Sequence, residues 1–310
     1  MSYRATKITD FEISPSASKE ANASDSPSST SSPGKGLKIQ VTNSFAIQFS
    51  YLSQFLQYAT KNSERPNIQR TEYVAQLGLT KRHTEAVCSV AVAFDLVVPK
   101  KLTATQVGKT IAEGDPYLEY TGTLWILHYN VASNKKWLIW NTLLNEVFPN
   151  RQKITPEEAR ESFSGFREKL SKFTMNKKVR REIAIVLDSY TTKSFNKLGI
   201  IQKEDGSYVF HRGEQIPPEI LSAATLVFRQ RYDPNASGVS METLLKAPNS
   251  PGRILNMEEN TMRSIFNQAA HKGFLFMERK ADLDQIRFRE GITVETLLKT
   301  YYEGLKNEQK

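Results

Sequence analysis

Asp115, Glu119 and His128 are the residues of this 310-residue chain whose types and spacing best fit a reaction. Two carboxylates four positions apart, with an imidazole nine further on, could meet near the end of one helix. There they could hold Mg²⁺ or Mn²⁺ and orient a water for phosphodiester cleavage. Spacing alone does not establish that they converge, and two of them have an ordinary reading. Asp115 precedes Pro116 and fits a helix cap with proline at the first helical position. His128 lies in an apolar stretch that carries all three tryptophans, Trp125, Trp137 and Trp140, and fits a hydrogen-bonded core histidine.

The cations form a second group. The net charge is +9, and the excess sits in residues 37–215, most densely over 151–215. Such a balance suits a polyanion such as double-stranded DNA. Lys81, Arg82, His83 and Thr84 open a predicted helix, Lys100 and Lys101 follow it, and Lys177, Lys178, Arg180 and Arg181 make the densest basic patch. The patch reads equally as a solvated helix face or as a phosphate clamp, because charge runs position nucleic acid without specifying sequence. Arg253, in Ser250-Pro251-Gly252-Arg253, could grip a phosphate or a carboxylate.

The elements that would position these residues read as mainly α with small β-wings, an α+β chain in four parts. Residues 1–36, dense in Ser and Pro, cannot bury enough apolar surface to fold and are expected to be a disordered tail. Residues 37–114 read as a winged helix. An amphipathic helix carries Phe49, Leu52, Phe55, Leu56 and Ala59, and a short helix ends at Gly78. Thr80 then caps a recognition helix to Phe94, and Leu96 to Gly108 supplies a two-stranded wing.

Residues 115–215 read as a central helical region. Its expected parts are a buried helix from Pro116, a helix over 136–148, a helix capped by Thr155 and running to about Lys172, the basic patch, and a hairpin turning at Asp205-Gly206. Residues 216–310 repeat the winged-helix outline, with helices from Pro217-Pro218 to Tyr232, over 240–245, and from an Asn256 cap to about His271, followed by a wing of 273–277 and 285–288. Because Glu258 and Glu259 open its third helix, this second unit is assigned to protein contact or dimerisation.

The runs DPYLE.TGTLWILHY, LDSYTTKSFNKLGII…DGSYVFHRG and SPGRIL…LDQIRF resemble a bacterial family known as domain of unknown function four-thousand-and-seven, in order over roughly residues 40–302. The family neighbours PAPS-reductase-like genes and includes a DNA-nicking component of a single-stranded phosphorothioation system that defends against phage. The resemblance implies DNA processing in such a system. It also implies a cysteine desulfurase, a PAPS-reductase-like ATP pyrophosphatase and an ATPase as partners.

The residues themselves support only DNA binding. The chain shows no PD-(D/E)xK, HNH or GIY-YIG pattern and no phosphate loop. Two functions remain open: a DNA-binding and DNA-nicking endonuclease subunit that uses a divalent metal, or a non-catalytic adaptor that brings sulfur-transfer enzymes to DNA. One cysteine, Cys88, and four histidines leave no zinc motif and no internal disulfide. With no run long enough for a membrane span and no signal-like start, the expected location is the cytoplasm.

Overall fold

The computed structural model describes residues 38–166, 171–280 and 283–308; the predicted tail, 1–36, lies outside them. The front of the chain packs three helices, α1 (Phe49–Lys61), α2 (Arg70–Leu77) and α3 (Lys81–Ala93). The apolar face of α1 buries Leu52, Phe55, Leu56 and Ala59. Gly78 leaves α2 at φ 63°, a left-handed turn that glycine adopts without a Cβ penalty. Two residues on, the Thr80 hydroxyl accepts from the His83 N–H and starts α3.

The two-stranded wing expected after α3 is reduced to a single bridge, Val97 with Ala104. Lys100 and Leu102 turn the chain at φ 69° and 58°, and Val98 bonds across the tight loop to Thr103 and Leu102. Thr105 then accepts from Gly108 and caps α4 (Gln106–Gly114). The second strand of the wing therefore has no length, because a capped helix begins where it would run.

The buried central helix is α5 (Thr121–Ala132), with every residue from Gly122 to Ala132 buried. It begins at Thr121 rather than Pro116. The Asp115 carboxylate caps the intervening loop instead, taking the N–H groups of Glu119 and Tyr120 at 2.9 Å each. The helix expected over 136–148 runs as α6 (Leu138–Asn141), a π-turn (Thr142–Val147) and α7 (Phe148–Arg151).

Next come β1 (Lys153–Ile154) and α8 (Pro156–Glu161). Thr155 and Glu158 form the reciprocal capping box of α8, but the helix stops at Glu161, well short of Lys172. A second π-turn (Thr174–Val179) leads into α9 (Arg180–Thr191). The hairpin forms as expected from β2 (Ile201–Glu204) and β3 (Ser207–Phe210), with Asp205 and Gly206 both at positive φ. β1 joins it in the order β1-β3-β2, a pairing that no local pattern at Lys153-Ile154 announces.

The C-terminal part holds α10 (Pro218–Tyr232), β4 (Val239–Ser240), α11 (Met241–Lys246), α12 (Pro251–Ile254), α13 (Glu259–His271), β5 (Leu275–Lys280), β6 (Leu283–Phe288) and α14 (Val294–Glu308). Its sheet is antiparallel in the order β4-β6-β5. Glu258, not Asn256, stands at the N-cap of α13. The Asn256 amide donates instead to the carbonyls of Phe210 and His211, which ties this part to the hairpin.

One hydrophobic core runs from Val41 to Tyr302 through all these segments. α14 seats it at one end, where the Tyr301 hydroxyl accepts from Gly122 N–H and the Tyr302 and Thr123 hydroxyls lie 2.8 Å apart. A Cβ at Gly122 would lie 2.4 Å from the Tyr301 ring, so only glycine admits this approach.

Candidate nucleic-acid interface

The first bank of the site is the segment just before α1. A buried carboxylate on α9 dictates its path. Glu182 accepts the backbone N–H groups of Val41 and Thr42 at 2.8 and 3.0 Å and the Thr42 hydroxyl at 2.8 Å. Burial pushes its carboxyl above the ordinary value, and the donors from Thr42 and Val41 pull the other way. Beyond that anchor the chain turns sharply. Asn43 and Ser44 both lie in the left-handed region, at φ 48° and 73°, and the Phe45 N–H closes on the Thr42 carbonyl. Gln40 donates across the turn to the Ser44 hydroxyl.

The second bank is the helical run through the π-turn into α9. Lys177, Lys178, Arg180 and Arg181 are exposed around a buried Val179. A π-turn, with its wider i→i+5 bonding, re-aims side chains within a helix and recurs at functional sites. Between the banks lies an open groove of about 610 Å³ lined by Gln40, Ser44, Arg82, Phe173, Lys177, Lys178, Arg180, Arg181 and Ala184.

Five cations therefore face one groove with no acid in its lining. None of the five forms an ion pair among the described residues. Like charges this close repel one another, and an anion in the groove would relieve that repulsion. Phe173 lies beside these charges at 59% exposure, with the Lys177 ammonium 5.6 Å from its ring centroid.

The predicted site residues separate clearly. Arg82 and the Lys177–Arg181 patch, read from the sequence as two distant clusters, come together. Lys81 is exposed but outside the groove lining. The His83 ring stacks on Phe45 at 4.3 Å and meets Tyr51 edge-on, and burial lowers its pKa. Thr84 is fully buried. Lys100 and Lys101 are exposed on the tight loop, away from the groove lining. The Arg253 Nε donates to the Asn145 carbonyl and its Nη2 to the Asn150 side chain, and among the described residues it forms no carboxylate ion pair.

Asp115, Glu119 and His128 do not converge. Asp115 is buried with both oxygens engaged by backbone, and Glu119 is exposed. His128 is fully buried: Nε2 reaches the Ile254 carbonyl at 3.3 Å and Nδ1 meets the Tyr190 hydroxyl at 2.6 Å. A carbonyl can only accept, so Nε2 carries the proton and the Tyr190 O–H donates to Nδ1. Burial holds this imidazole neutral, with its pKa lowered to about 4.

Sequence reasoning missed Gln40, Ser44, Phe173 and Glu182. For Phe173 a signal existed: it is a lone aromatic between Lys172 and Lys177, the interleaving that nucleic-acid grooves use. Gln40, Ser44 and Glu182 carry none, since their roles arise from contacts across about 140 positions.

A family model described as "Protein of unknown function (DUF4007)" matches residues 42–302. No curated protein matches the sequence. Two solved structures share the fold. A magnesium ion-bound SspB crystal structure aligns with TM-score 0.66 at 18% identity, and an SspB crystal structure with TM-score 0.64 at 19% identity. Each alignment covers 86% of both chains.

Among the described residues no three His, Cys, Asp or Glu side chains group as metal ligands. The Asp115, Glu119 and His128 set does not fit a divalent cation, because its buried members spend their polar atoms on protein partners.

Proposed function

This chain belongs to the DUF4007 family, and from that membership and the groove we propose that it is a DNA-binding component of a phosphorothioation defence system. The observation that carries the proposal is the meeting of Arg82 with Lys177, Lys178, Arg180 and Arg181 around one acid-free groove. Five cations around one groove, none in an ion pair among the described residues, suit a phosphate backbone, and such contacts fix position rather than sequence. The likeness to SspB supports the choice of system, and with it the sulfur-transfer enzymes and ATPase as partners. In this reading the chain holds DNA for them as an adaptor, and the C-terminal unit is the surface that meets them.

The test is fluorescence anisotropy with a labelled duplex. Replacing Lys177, Lys178, Arg180 and Arg181 together by Ala is expected to weaken binding at least ten-fold, and Arg82→Ala to weaken it further in the same direction. Lys100→Ala with Lys101→Ala is expected to cost less than either. Unchanged affinity in the four-residue variant would remove the proposal.

A second reading, a metal-dependent nickase, is favoured by the magnesium ion of the SspB neighbour. Supercoiled plasmid with Mg²⁺ or Mn²⁺, and with EDTA at matched ionic strength, distinguishes the two. The adaptor reading expects DNA binding that persists in EDTA and no relaxation. Metal-dependent relaxation lost in a folded Asp115→Asn variant would favour a nickase built on that carboxylate. Relaxation that survives Asp115→Asn would put the cutting on other residues.

A further inference from the structure

We infer that Phe173 is a stacking platform for an unpaired base, so that the groove takes a single-stranded segment of DNA in addition to duplex backbone. The inference rests on the reading of the groove as a nucleic-acid interface and names the substrate form that this interface selects. Phe173 is one of three large apolar side chains left exposed among the described residues, at 59%. It is the one that stands in a groove of cations.

The other two differ in their surroundings. Tyr117 borders a groove lined mainly by amides and hydroxyls. Phe276 also has cations beside it, but the Arg289 guanidinium already covers its ring at 4.2 Å from the centroid and Arg287 is paired with Glu278 at 2.8 Å.

The positioning also argues for a base. Phe173 stands one helical turn before Lys177, whose ammonium lies 5.6 Å from the ring centroid. A base on the ring would therefore have a cation beside it for its own phosphate. Residues four apart on a helix are neighbours, so one nucleotide can engage both. In a duplex the faces of the bases are already stacked on each other, and a phenyl ring reaches them only when the nucleotide is unpaired or extruded. Grooves that track single strands combine these two features, cations for the backbone and aromatic rings for the bases. A phosphate clamp for duplex alone has no use for an exposed ring, whose apolar surface gains nothing against phosphate.

The test compares one labelled oligonucleotide as a single strand and as a duplex, with wild type, Phe173→Leu, Phe173→Trp and the four-residue variant of Lys177, Lys178, Arg180 and Arg181 to Ala. Leucine keeps apolar bulk and removes the π-face. Because Phe173 is exposed, both substitutions are expected to leave the melting temperature unchanged.

Phe173→Leu is expected to weaken single-strand binding about ten-fold, within the range for losing one base stack, with less than a two-fold change on duplex and an unchanged salt slope. Phe173→Trp is expected to retain single-strand affinity. Equal effects of Phe173→Leu on both DNA forms, or on neither, would overturn the inference while leaving the groove in place. Loss of binding in the four-residue variant but not in Phe173→Leu is that same failure. Full binding by the four-residue variant would instead overturn the groove reading itself.

Discussion

His128 and Asp115 look like chemistry in the sequence because ionisable groups are rare in apolar stretches, and burial alone raises the cost of each. The structure resolves that cost with hydrogen-bond partners. The imidazole has a carbonyl and a phenol, and the carboxylate has two backbone N–H groups. These partners are 62 and 126 positions away for His128, so no reading of its own neighbourhood could supply them.

The arrangement predicts a pH dependence. The His128 pKa falls from its ordinary 6.5 to about 4 on folding, so the unfolded chain binds more protons between those values and stability rises with pH. Its contribution is complete above about pH 6.5 and is lost progressively down to about pH 4, roughly 3 kcal/mol in all. Thermal melts at pH 7.5 and 5 should separate for wild type and draw together in His128→Gln; an equal separation in the variant would show that the imidazole is not buried neutral. Asp115→Ala should cost about 1–3 kcal/mol by stranding two N–H groups, with DNA affinity unchanged in the folded fraction. Urea unfolding and anisotropy on one preparation check both halves.

Where local periodicity and caps agreed, helices and turns were legible: α1 by its apolar stripe, α3 by Thr80, α10 by its prolines, the β2–β3 hairpin by Asp205-Gly206. They were misjudged where two local signals competed. Leu96-Val97-Val98 reads as strand, yet Thr105 caps α4 before a partner strand can form. Pro116 reads as a helix start, yet Asp115 spends its oxygens on the loop.

The π-turns were illegible, because the first is buried on nearly every side and the second buries only Val179, so neither offers an apolar stripe whose phase shift could be seen; α14 was not read at all. The seat of α14 is testable. Gly122→Ala puts a Cβ 2.4 Å from the Tyr301 ring and should destabilise the protein by about 1–3 kcal/mol through overpacking, read as a lower urea midpoint. An unshifted midpoint would mean that α14 does not pack there.

Among the described residues one core joins parts that composition and punctuation had divided at residues 114 and 215. Alternation between α and β content was readable, and so was the placement of positive charge. That Arg82 would meet Lys177 to Arg181 was not, since the approach depends on Glu182 fixing the turn after Gln40 and on α3 beginning beside it. The groove with its five cations is a property of tertiary packing.

The most direct test is the dependence of the DNA association constant on salt. For wild type, log K against log salt should be linear with a slope that counts the phosphates neutralised, about −0.9 for each on duplex. Removing Lys177, Lys178, Arg180 and Arg181 together should make the slope shallower by up to about 3.6, and Arg82→Ala by up to about 0.9 more. A slope unchanged in both variants would contradict the account and put the DNA on another face.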